Sequence, residues 1–180
     1  MMASQMSMPT DGHLEAFLHV CKFIRQKYNS RMVFYPTYPT INMSDFKEFK
    51  WKYLYGELKE AIPPNYPEER GNKVDLHGYV HIRHAGENKT RRSQSGFFIL
   101  LNTEIIQWFS KKQSTIDMYV FEADFLAMNI VMEMLRGIRY KMRMMGVPIS
   151  VPSCIYLDNM LVIHNTQRPE FTMKNKSNYI

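Results

Sequence analysis

The spacing of apolar residues predicts a helix near the start of the chain. Between Gly12 and Tyr28 the apolar residues recur at intervals of three and four, at Leu14, Phe17, Leu18, Cys21, Ile24 and Tyr28. This spacing places them on one stripe of an amphipathic helix. Thr10 or Asp11 is the predicted N-cap, because either side chain can accept a hydrogen bond from a free amide of the first turn.

Prolines interrupt the pattern that follows this helix. Five of them stand at Pro36, Pro39, Pro63, Pro64 and Pro67, and they argue against long helices in this part of the chain. A linker or a long surface loop is predicted over residues 63–71. The sequence is therefore divided into residues 1–70, a helix followed by an irregular stretch, and residues 71–180, where regular alternation begins.

Short segments rich in aromatic and β-branched residues predict strands after residue 71. Three strands, a tight turn before the third, a long helix, a fourth strand and a short helix are expected in that order. A Ser or Thr should cap the long helix, and Gly146 should end it. The predicted ranges are Val74–Arg83, Gly96–Leu101, Ile105–Phe109, a helix over about Ile116–Met145 capped by Ser114 or Thr115, Ile155–Leu157, and Asn159–Asn165.

This order of elements predicts an α/β fold with a mixed sheet. Two hairpin pairings are followed by a helical crossover, which should place the fourth strand parallel to the first. The alternative is a helical protein with a β-hairpin appendage. The mixed sheet is favoured because Asp158 follows a strand after a helical crossover, and open α/β sheets place their chemistry there.

Composition narrows the class of protein. The 180 residues are 45% apolar and 13% aromatic, which is enough for a packed core and too much for a disordered chain. The longest apolar run, Phe97–Leu101, is far shorter than the roughly 20 residues of a membrane helix. Two cysteines and a start without the pattern of a secretory signal predict a soluble intracellular protein in a reducing compartment.

The positive charge is concentrated in the second half of the chain. Residues 89–180 hold 12 Lys and Arg against 7 Asp and Glu, and the whole chain has a net charge of +6. Either an acidic partner such as nucleic acid or a solvated surface accounts for this excess. Phosphate contacts would give salt-sensitive binding without sequence preference. The basic clusters are Lys89, Arg91 and Arg92, then Lys111 and Lys112, then Arg136 to Arg143, and finally Lys174 to Lys176.

Four ordered motifs resemble those of copia-type retrotransposon polyproteins. Trp108–Thr115 is similar to the family's Trp-x-Ser-x-Lys-Gln-x-Thr, and Thr90–Phe97 resembles its Arg-Ser-x-Ser/Thr-Gly-Phe/Tyr. Tyr156–Asn159 is similar to Tyr-x-Asp-Asn, and Pro9 with Gly12–Ala16 resembles Pro-x-x-x-His-Leu. The motifs stand in the family's order and spacing. The resemblance implies the end of a reverse transcriptase and its connection segment over residues 1–70, and a ribonuclease H-like domain over residues 71–180.

The resemblance also implies a fold and a reaction. Ribonuclease H-like domains have a five-stranded mixed sheet with flanking helices, and they hydrolyse the RNA of an RNA–DNA hybrid. Two Mg²⁺ ions about 4 Å apart activate the water and stabilise the leaving oxygen, and they need oxygen ligands. The family's last strand would fall beyond Ile180, so a C-terminally truncated domain is expected. Its fourth strand would then be an exposed edge that invites self-association.

The family's acidic positions are only partly acidic in this chain. In His81–Glu87, His81 stands at the catalytic Asp of the first strand and Arg83 at its neighbouring Asp. Asp124 replaces the Glu of the long helix, and Asp158 matches the Asp after the fourth strand. Imidazole is a poor Mg²⁺ ligand and a nearby guanidinium disfavours a dication. The residues expected at the catalytic and metal-binding positions are therefore Asp124 and Asp158, and bound Mg²⁺ is not expected.

The resulting functional hypothesis is a fragment of a copia-type polyprotein whose ribonuclease H-like domain is inactive. Its alternatives are a remnant that binds RNA–DNA hybrid or other nucleic acid through Lys89, Arg91, Arg92, Lys111 and Lys112, or a relic with no selected function. Two further chemistries are weighed and disfavoured. A zinc site at His77, His81 and His84 lacks a nearby Cys, and Cys154 is better interpreted as a small buried residue than as a nucleophile.

Overall fold

The computed structural model describes residues 10–31, 53, 56–57, 59–60, 62–86, 90–149 and 151–167. The chain divides into two compact units, residues 1–34 and 35–180. The first unit contains helix α1, Asp11–Gln26, with Thr10 as its N-cap, which confirms the predicted helix. None of the residues of α1 is buried. The division into polyprotein regions at residue 70 stays a prediction.

The second unit is built on a four-stranded mixed sheet. Its strands β1, β2 and β3 are followed by helix α2, strand β4 and helix α3. The strand order is β3-β2-β1-β4. β1–β2 and β2–β3 are antiparallel and β1–β4 is parallel, which confirms the mixed sheet and shows the helical alternative to be wrong. The elements span Leu76–Arg83, Gln94–Leu101, Glu104–Lys112, Val120–Met144, Cys154–Leu157 and Met160–Thr166.

The predicted start of the long helix is wrong by four residues. Helix α2 begins at Val120 with Tyr119 as its N-cap. The Thr115 hydroxyl donates to Asp117 Oδ1 at 3.1 Å instead of capping the helix. Glu122 Oε2 accepts a hydrogen bond of 3.2 Å from the amide of Met118, the residue before the N-cap. The segment before α2 is therefore an irregular loop.

One buried side chain holds this loop against the sheet. Gln113 donates from Nε2 to Ser95 Oγ at 2.9 Å and to the Ala123 carbonyl at 3.0 Å. These bonds join the residue after β3, the start of β2 and the first turn of α2. They fix the point at which the chain leaves the sheet for the crossover.

The core lies between one face of the sheet and α2. Side chains of a strand alternate between faces, so every second residue of β1 and β2 points to the helix. Gly78 of β1 stands where α2 approaches most closely, because a Cβ at this position would lie 2.7 Å from Val131 Cγ1. The buried residues of this layer include Leu76, Val80, Ile82, Phe97 and Ile99 from the sheet and Ala123, Ala127, Val131 and Leu135 from α2.

A cluster of ion pairs ties the segment before β1 to the C-terminal half of α2. Arg139 binds both carboxylate oxygens of Glu60, at 2.9 and 2.7 Å, and Arg143 binds Glu60 Oε2 at 2.7 Å. Arg143 also binds Glu69 at 3.1 Å. The predicted phosphate-binding role of the Arg136–Arg143 cluster is therefore wrong for Arg139 and Arg143, because both side chains are largely buried among acceptors.

We expect Gly78→Ala to destabilise the protein by about 1–3 kcal/mol, because the new methyl group must displace the stiff Val131 side chain. Urea unfolding measures the loss. In a Val131→Ala background the same change should cost less, since the obstructing methyl group is gone. Gly137→Ala is the matched control, because open space surrounds that exposed helical position, and it should stabilise by about 0.5–1 kcal/mol. If Gly78→Ala destabilised the Val131→Ala background as much as it destabilises the parent protein, this result would contradict the packing argument.

The ion cluster predicts a pH-dependent contribution to stability. Hydrogen bonds from Arg139 and Arg143 lower the pKa of Glu60 from 4.5 to about 2. A carboxyl group whose pKa is lowered in the folded protein stabilises the fold at pH values above its pKa in the unfolded chain. For Glu60 this contribution is lost as the pH falls from 4.5 towards 2. Glu60→Gln should therefore be less stable than the parent at about pH 7, with a difference that shrinks at acidic pH in unfolding experiments. Glu133→Gln, which breaks an exposed pair with Arg136, should change stability far less.

Candidate functional site

The parallel pairing of β1 and β4 brings two predicted site residues together. Val80 stands opposite Leu157 in the register, so His81 and Asp158 follow at the same edge of the sheet. His81 Nδ1 lies 3.2 Å from Asp158 Oδ2. The two side chains are 77% and 69% exposed. The His81 imidazole therefore contacts the carboxylate of Asp158, and these are two of the residues that the sequence analysis singled out.

Asp124 is buried beside this pair, in the second turn of α2. Its Oδ2 accepts a hydrogen bond of 2.7 Å from Asn159 Nδ2. Burial raises the pKa of Asp124 above its ordinary value of 3.8, and the charge of Asp158 acts in the same direction. The Asn159 bond and the charges of His81 and His84 oppose this rise. The structure thus gathers Asp124, Asp158 and His81 at one edge of the sheet.

Asn159 is the residue whose role the sequence analysis missed. Its Oδ1 accepts the amides of Leu161 and Val162 at 3.0 and 3.4 Å and so caps helix α3. Its amide group donates to Asp124 at the same time. The available signal was an Asn at the first position of the predicted helix Asn159–Asn165, since Asn is a preferred N-cap residue. Its bond to a residue 35 positions earlier depends on the tertiary fold.

The donor set at this edge fits Mg²⁺ poorly. In the ranges that the structure describes, no three His, Cys, Asp or Glu side chains converge closely enough to hold a metal ion. Mg²⁺ requires octahedral oxygen coordination at about 2.1 Å. Here the retained Asp158 faces an imidazole, and one oxygen of Asp124 faces an amide. No reaction step through a metal follows from these residues.

The zinc alternative is wrong for the three histidines. His77 is buried with its ring edge against Tyr79 and Tyr156, at centroid distances of 6.0 and 6.2 Å. His84 Nδ1 lies 3.3 Å from Ser93 Oγ, and His81 faces Asp158. The three rings have separate partners and do not converge.

Cys154 does not have the environment of an activated nucleophile. His77 stands opposite it in the β1–β4 register. Burial, together with the charge of Asp75, raises the pKa of the Cys154 thiol above its ordinary value of 9.0. Burial lowers the pKa of His77, so a cationic imidazole that would stabilise a thiolate is disfavoured. The interpretation of Cys154 as a half-buried apolar residue is the one that these environments support.

Most of the predicted phosphate-binding residues lie at the end of the sheet that carries His81. Lys112 pairs with Gln94, and Gln94 pairs with Arg83, so the two cations occupy one row across three strands. Arg91 and Arg92 are exposed just before β2, and Lys111 is exposed near the end of β3. Lys89 falls outside the described residues. This basic end of the sheet presents a positive surface next to the candidate site.

A cavity of about 470 Å³ lies between α2 and β4. Its wall includes Leu135, Ile149 and Ile155 beside the arginines of the ion cluster. The guanidinium of Arg139 also donates to the Val151 carbonyl at 2.9 Å, in addition to Glu60. Since these two arginines already have acceptors, the cavity is poorly suited to an anion.

Comparisons with known proteins confirm the resemblance to retrotransposon polyproteins. The chain is 28% identical over 108 residues to the retrovirus-related Pol polyprotein from transposon RE2 of Arabidopsis thaliana, and 26% identical to that from transposon RE1 of the same plant. Each match covers 60% of this chain and 7% of the relative. No family model and no solved structure matches the chain. Within the described residues, no helix is long and apolar enough to cross a membrane.

The buried carboxylate predicts a second pH effect, of opposite sign to that of Glu60. Because its pKa is raised in the folded protein, Asp124 contributes most to stability below pH 3.8, and this contribution is lost as the pH rises from 3.8 through the folded pKa. Asp124→Asn keeps an acceptor for Asn159 and removes the buried charge. We expect the variant to be more stable than the parent at about pH 7, and we expect this advantage to vanish near about pH 3. Chemical unfolding at both pH values tests this, with Glu133→Gln as the control for removing an exposed charge from the same helix. An equal difference at both pH values would refute the assignment.

Proposed function

We propose that the second unit of this diverged relative of retrotransposon polyproteins is a ribonuclease H-like module that binds nucleic acid and no longer hydrolyses it. The observation that carries this proposal is the contact between His81 and Asp158 at the edge of the sheet. A neutral or positive imidazole occupies the place at which the family resemblance requires a metal-binding carboxylate.

The topology supports the ribonuclease H-like part of the proposal. The resemblance implies a five-stranded mixed sheet with flanking helices, and the order of the elements predicts a helical crossover to a fourth strand that is parallel to the first. The strand order β3-β2-β1-β4 and the crossover through α2 agree with that arrangement. The retained Asp158 follows β4, next to the end of β1, which is where the resemblance places the chemistry.

The side-chain chemistry supports the loss of hydrolysis. Two-metal catalysis needs carboxylates that converge on both ions. In this chain His81 is a donor that suits Mg²⁺ poorly, Arg83 adds positive charge nearby, and Asp124 is one methylene shorter than Glu. Asp124 and Asp158 then act as acceptors for Asn159 and His81. Within the described residues, these side chains do not provide the converging carboxylates that would hold two metal ions against a phosphodiester.

The charge distribution supports nucleic-acid binding as the remaining activity. Arg91, Arg92 and Lys111 are exposed at one end of the sheet. Contacts from such residues to phosphates release counterions, so the logarithm of the affinity should fall linearly with the logarithm of the salt concentration. A hybrid duplex with A-like geometry offers its phosphates and 2′-hydroxyl groups across a wide minor groove. Self-association through the edge of β4 stays a separate prediction.

The test uses the full chain and a labelled RNA–DNA hybrid with Mg²⁺, Mn²⁺ or a chelator. We expect binding that does not depend on the metal, and no cleavage. Metal-dependent cleavage that Asp158→Asn abolishes would refute the proposal. The double variant His81→Asp, Asp124→Glu restores two family carboxylates and should bind Mn²⁺ more tightly than the parent chain, measured by calorimetry.

A second pair of variants tests the binding surface. Arg91→Ala with Arg92→Ala should weaken hybrid binding and reduce the slope of log affinity against log salt by about one for each phosphate that the variant no longer binds. Lys141→Ala removes an exposed cation near the far end of α2 and should leave the slope unchanged. Undetectable hybrid binding at about 50 mM salt would favour a relic without this function.

A further inference from the structure

Aromatic side chains from all four strands form one row across the sheet. Tyr79 of β1 pairs with Phe98 of β2, and Phe98 pairs with Trp108 of β3. On the other side, Tyr79 pairs with Tyr156 of β4. We call Trp108, Phe98, Tyr79 and Tyr156 the aromatic row. Its members come from positions 79 to 156 and are adjacent only because of the register of the sheet.

The aromatic row lies on the face of the sheet opposite α2. Its neighbours along the strands, among them Val80, Phe97 and Leu157, belong to the core layer under α2. Successive side chains of a strand point to opposite faces, so the row points away from the helix. Trp108 is 67% exposed, Phe98 50% and Tyr79 45%. Three large aromatic residues side by side and half exposed make an apolar surface of the kind that marks a binding site.

Part of the row is held rigidly by its own contacts. The rings of Tyr79 and Tyr156 stack with their centroids 4.7 Å apart and an angle of 13° between their planes. The buried His77 ring lies edge-on to both. Phe98 and Trp108 continue the row across β2 and β3. Rings fixed in this way lose little conformational entropy when a planar ligand stacks on them.

A polar row and a basic row run beside the aromatic row on the same face. The polar row lies two residues further along the strands and consists of Ser110, Gly96 and His81, which are in register. Two residues beyond these, Lys112, Gln94 and Arg83 form the basic row. At about 3.3 Å per residue the basic row lies roughly 13 Å from the aromatic row. The side chains of the polar row are small or polar, so they leave a shallow path on the surface from the aromatic rings to the cations.

We propose that this face binds single-stranded nucleic acid, with bases stacked on Trp108 and Phe98 and phosphates directed to the basic row and to Arg91 and Arg92. Unpaired bases expose the π-faces that such rings accept, and positively charged grooves next to stacking platforms bind single strands with little sequence preference. The inference goes beyond the proposed function, because it assigns a different ligand and side chains that hybrid binding does not use.

The charges favour this ligand over a second copy of the chain. Two copies joined face to face with their strands running in the same direction would bring their basic ends close together, and like charges would oppose that arrangement. Asp158, an exposed carboxylate at this end, faces His81. A polyanion that carries flat apolar groups matches both the cations and the rings.

The test measures the binding of fluorescein-labelled poly(dT) and poly(A) RNA, each about 20 nucleotides long, to the full chain by anisotropy at about 50 mM salt. Trp108→Ala and Phe98→Ala should each weaken single-strand binding about 5- to 100-fold, as expected for the loss of a stacking partner. Tyr140→Ala removes an equally exposed aromatic residue from α2 and should have no effect. Circular dichroism and unfolding midpoints establish that the variants are folded.

The control ligand is the hybrid duplex, whose bases are already stacked. Trp108→Ala should leave hybrid binding unchanged, whereas Arg91→Ala with Arg92→Ala should weaken both ligands. Unchanged single-strand affinity in Trp108→Ala and Phe98→Ala would overturn the inference and leave the proposed function standing. Loss of a dimer in Trp108→Ala, seen by sedimentation and without any effect on single-strand affinity, would also overturn it and assign the face to a second copy.

Discussion

The parallel pairing of β1 with β4 is the constraint on which the rest of the second unit depends. A parallel pair cannot be closed by a tight turn, so the chain must cross the sheet through a long helix. That helix, α2, packs where Gly78 leaves room for Val131. The same pairing fixes which residues leave the sheet at its edge, and it therefore places His81 beside Asp158 and puts Asn159 within reach of Asp124.

In this architecture, charged side chains at both ends of α2 are held by hydrogen-bonding partners. Near its start a buried carboxylate is held by the amide of Asn159, and near its end two arginines are held by Glu60. Unpaired buried charges would cost several kcal/mol, so these partners stabilise the fold as it stands. The consequence for function is that Asp124 and Asp158 already have polar partners. The exposed cations Arg91, Arg92 and Lys111 lie next to this site, before β2 and near the end of β3.

The two faces of the sheet have different roles because side chains alternate along a strand. One face is apolar and covered by α2. The other carries the aromatic row and, beside it, polar and basic rows in the same register. A candidate site whose donor set suits Mg²⁺ poorly therefore lies next to the surface that we propose for nucleic acid. The proposed absence of hydrolysis and the proposed binding are compatible in one module, since they depend on different side chains.

The sequence by itself determined the features that depend on local patterns. Alternation within strands, the apolar stripe of α1, the order of the elements and the motif resemblance predicted a mixed sheet and named His81, Asp124 and Asp158. Local patterns could not place the start of α2, because the bonds of Gln113 to Ser95 and to Ala123 bridge distant parts of the chain. They also could not show that Arg139 and Arg143 are buried against Glu60.

The aromatic row is the clearest feature that only the tertiary structure decided. Each of its four residues is an ordinary strand residue in the sequence, and a slip of one residue in any strand would turn that ring towards the core. Register is set by pairing between residues as far apart in the chain as Tyr79 and Tyr156. The sequence therefore determined which residues could take part in the surface, and the packing of α2 on the sheet decided that these four face outward together.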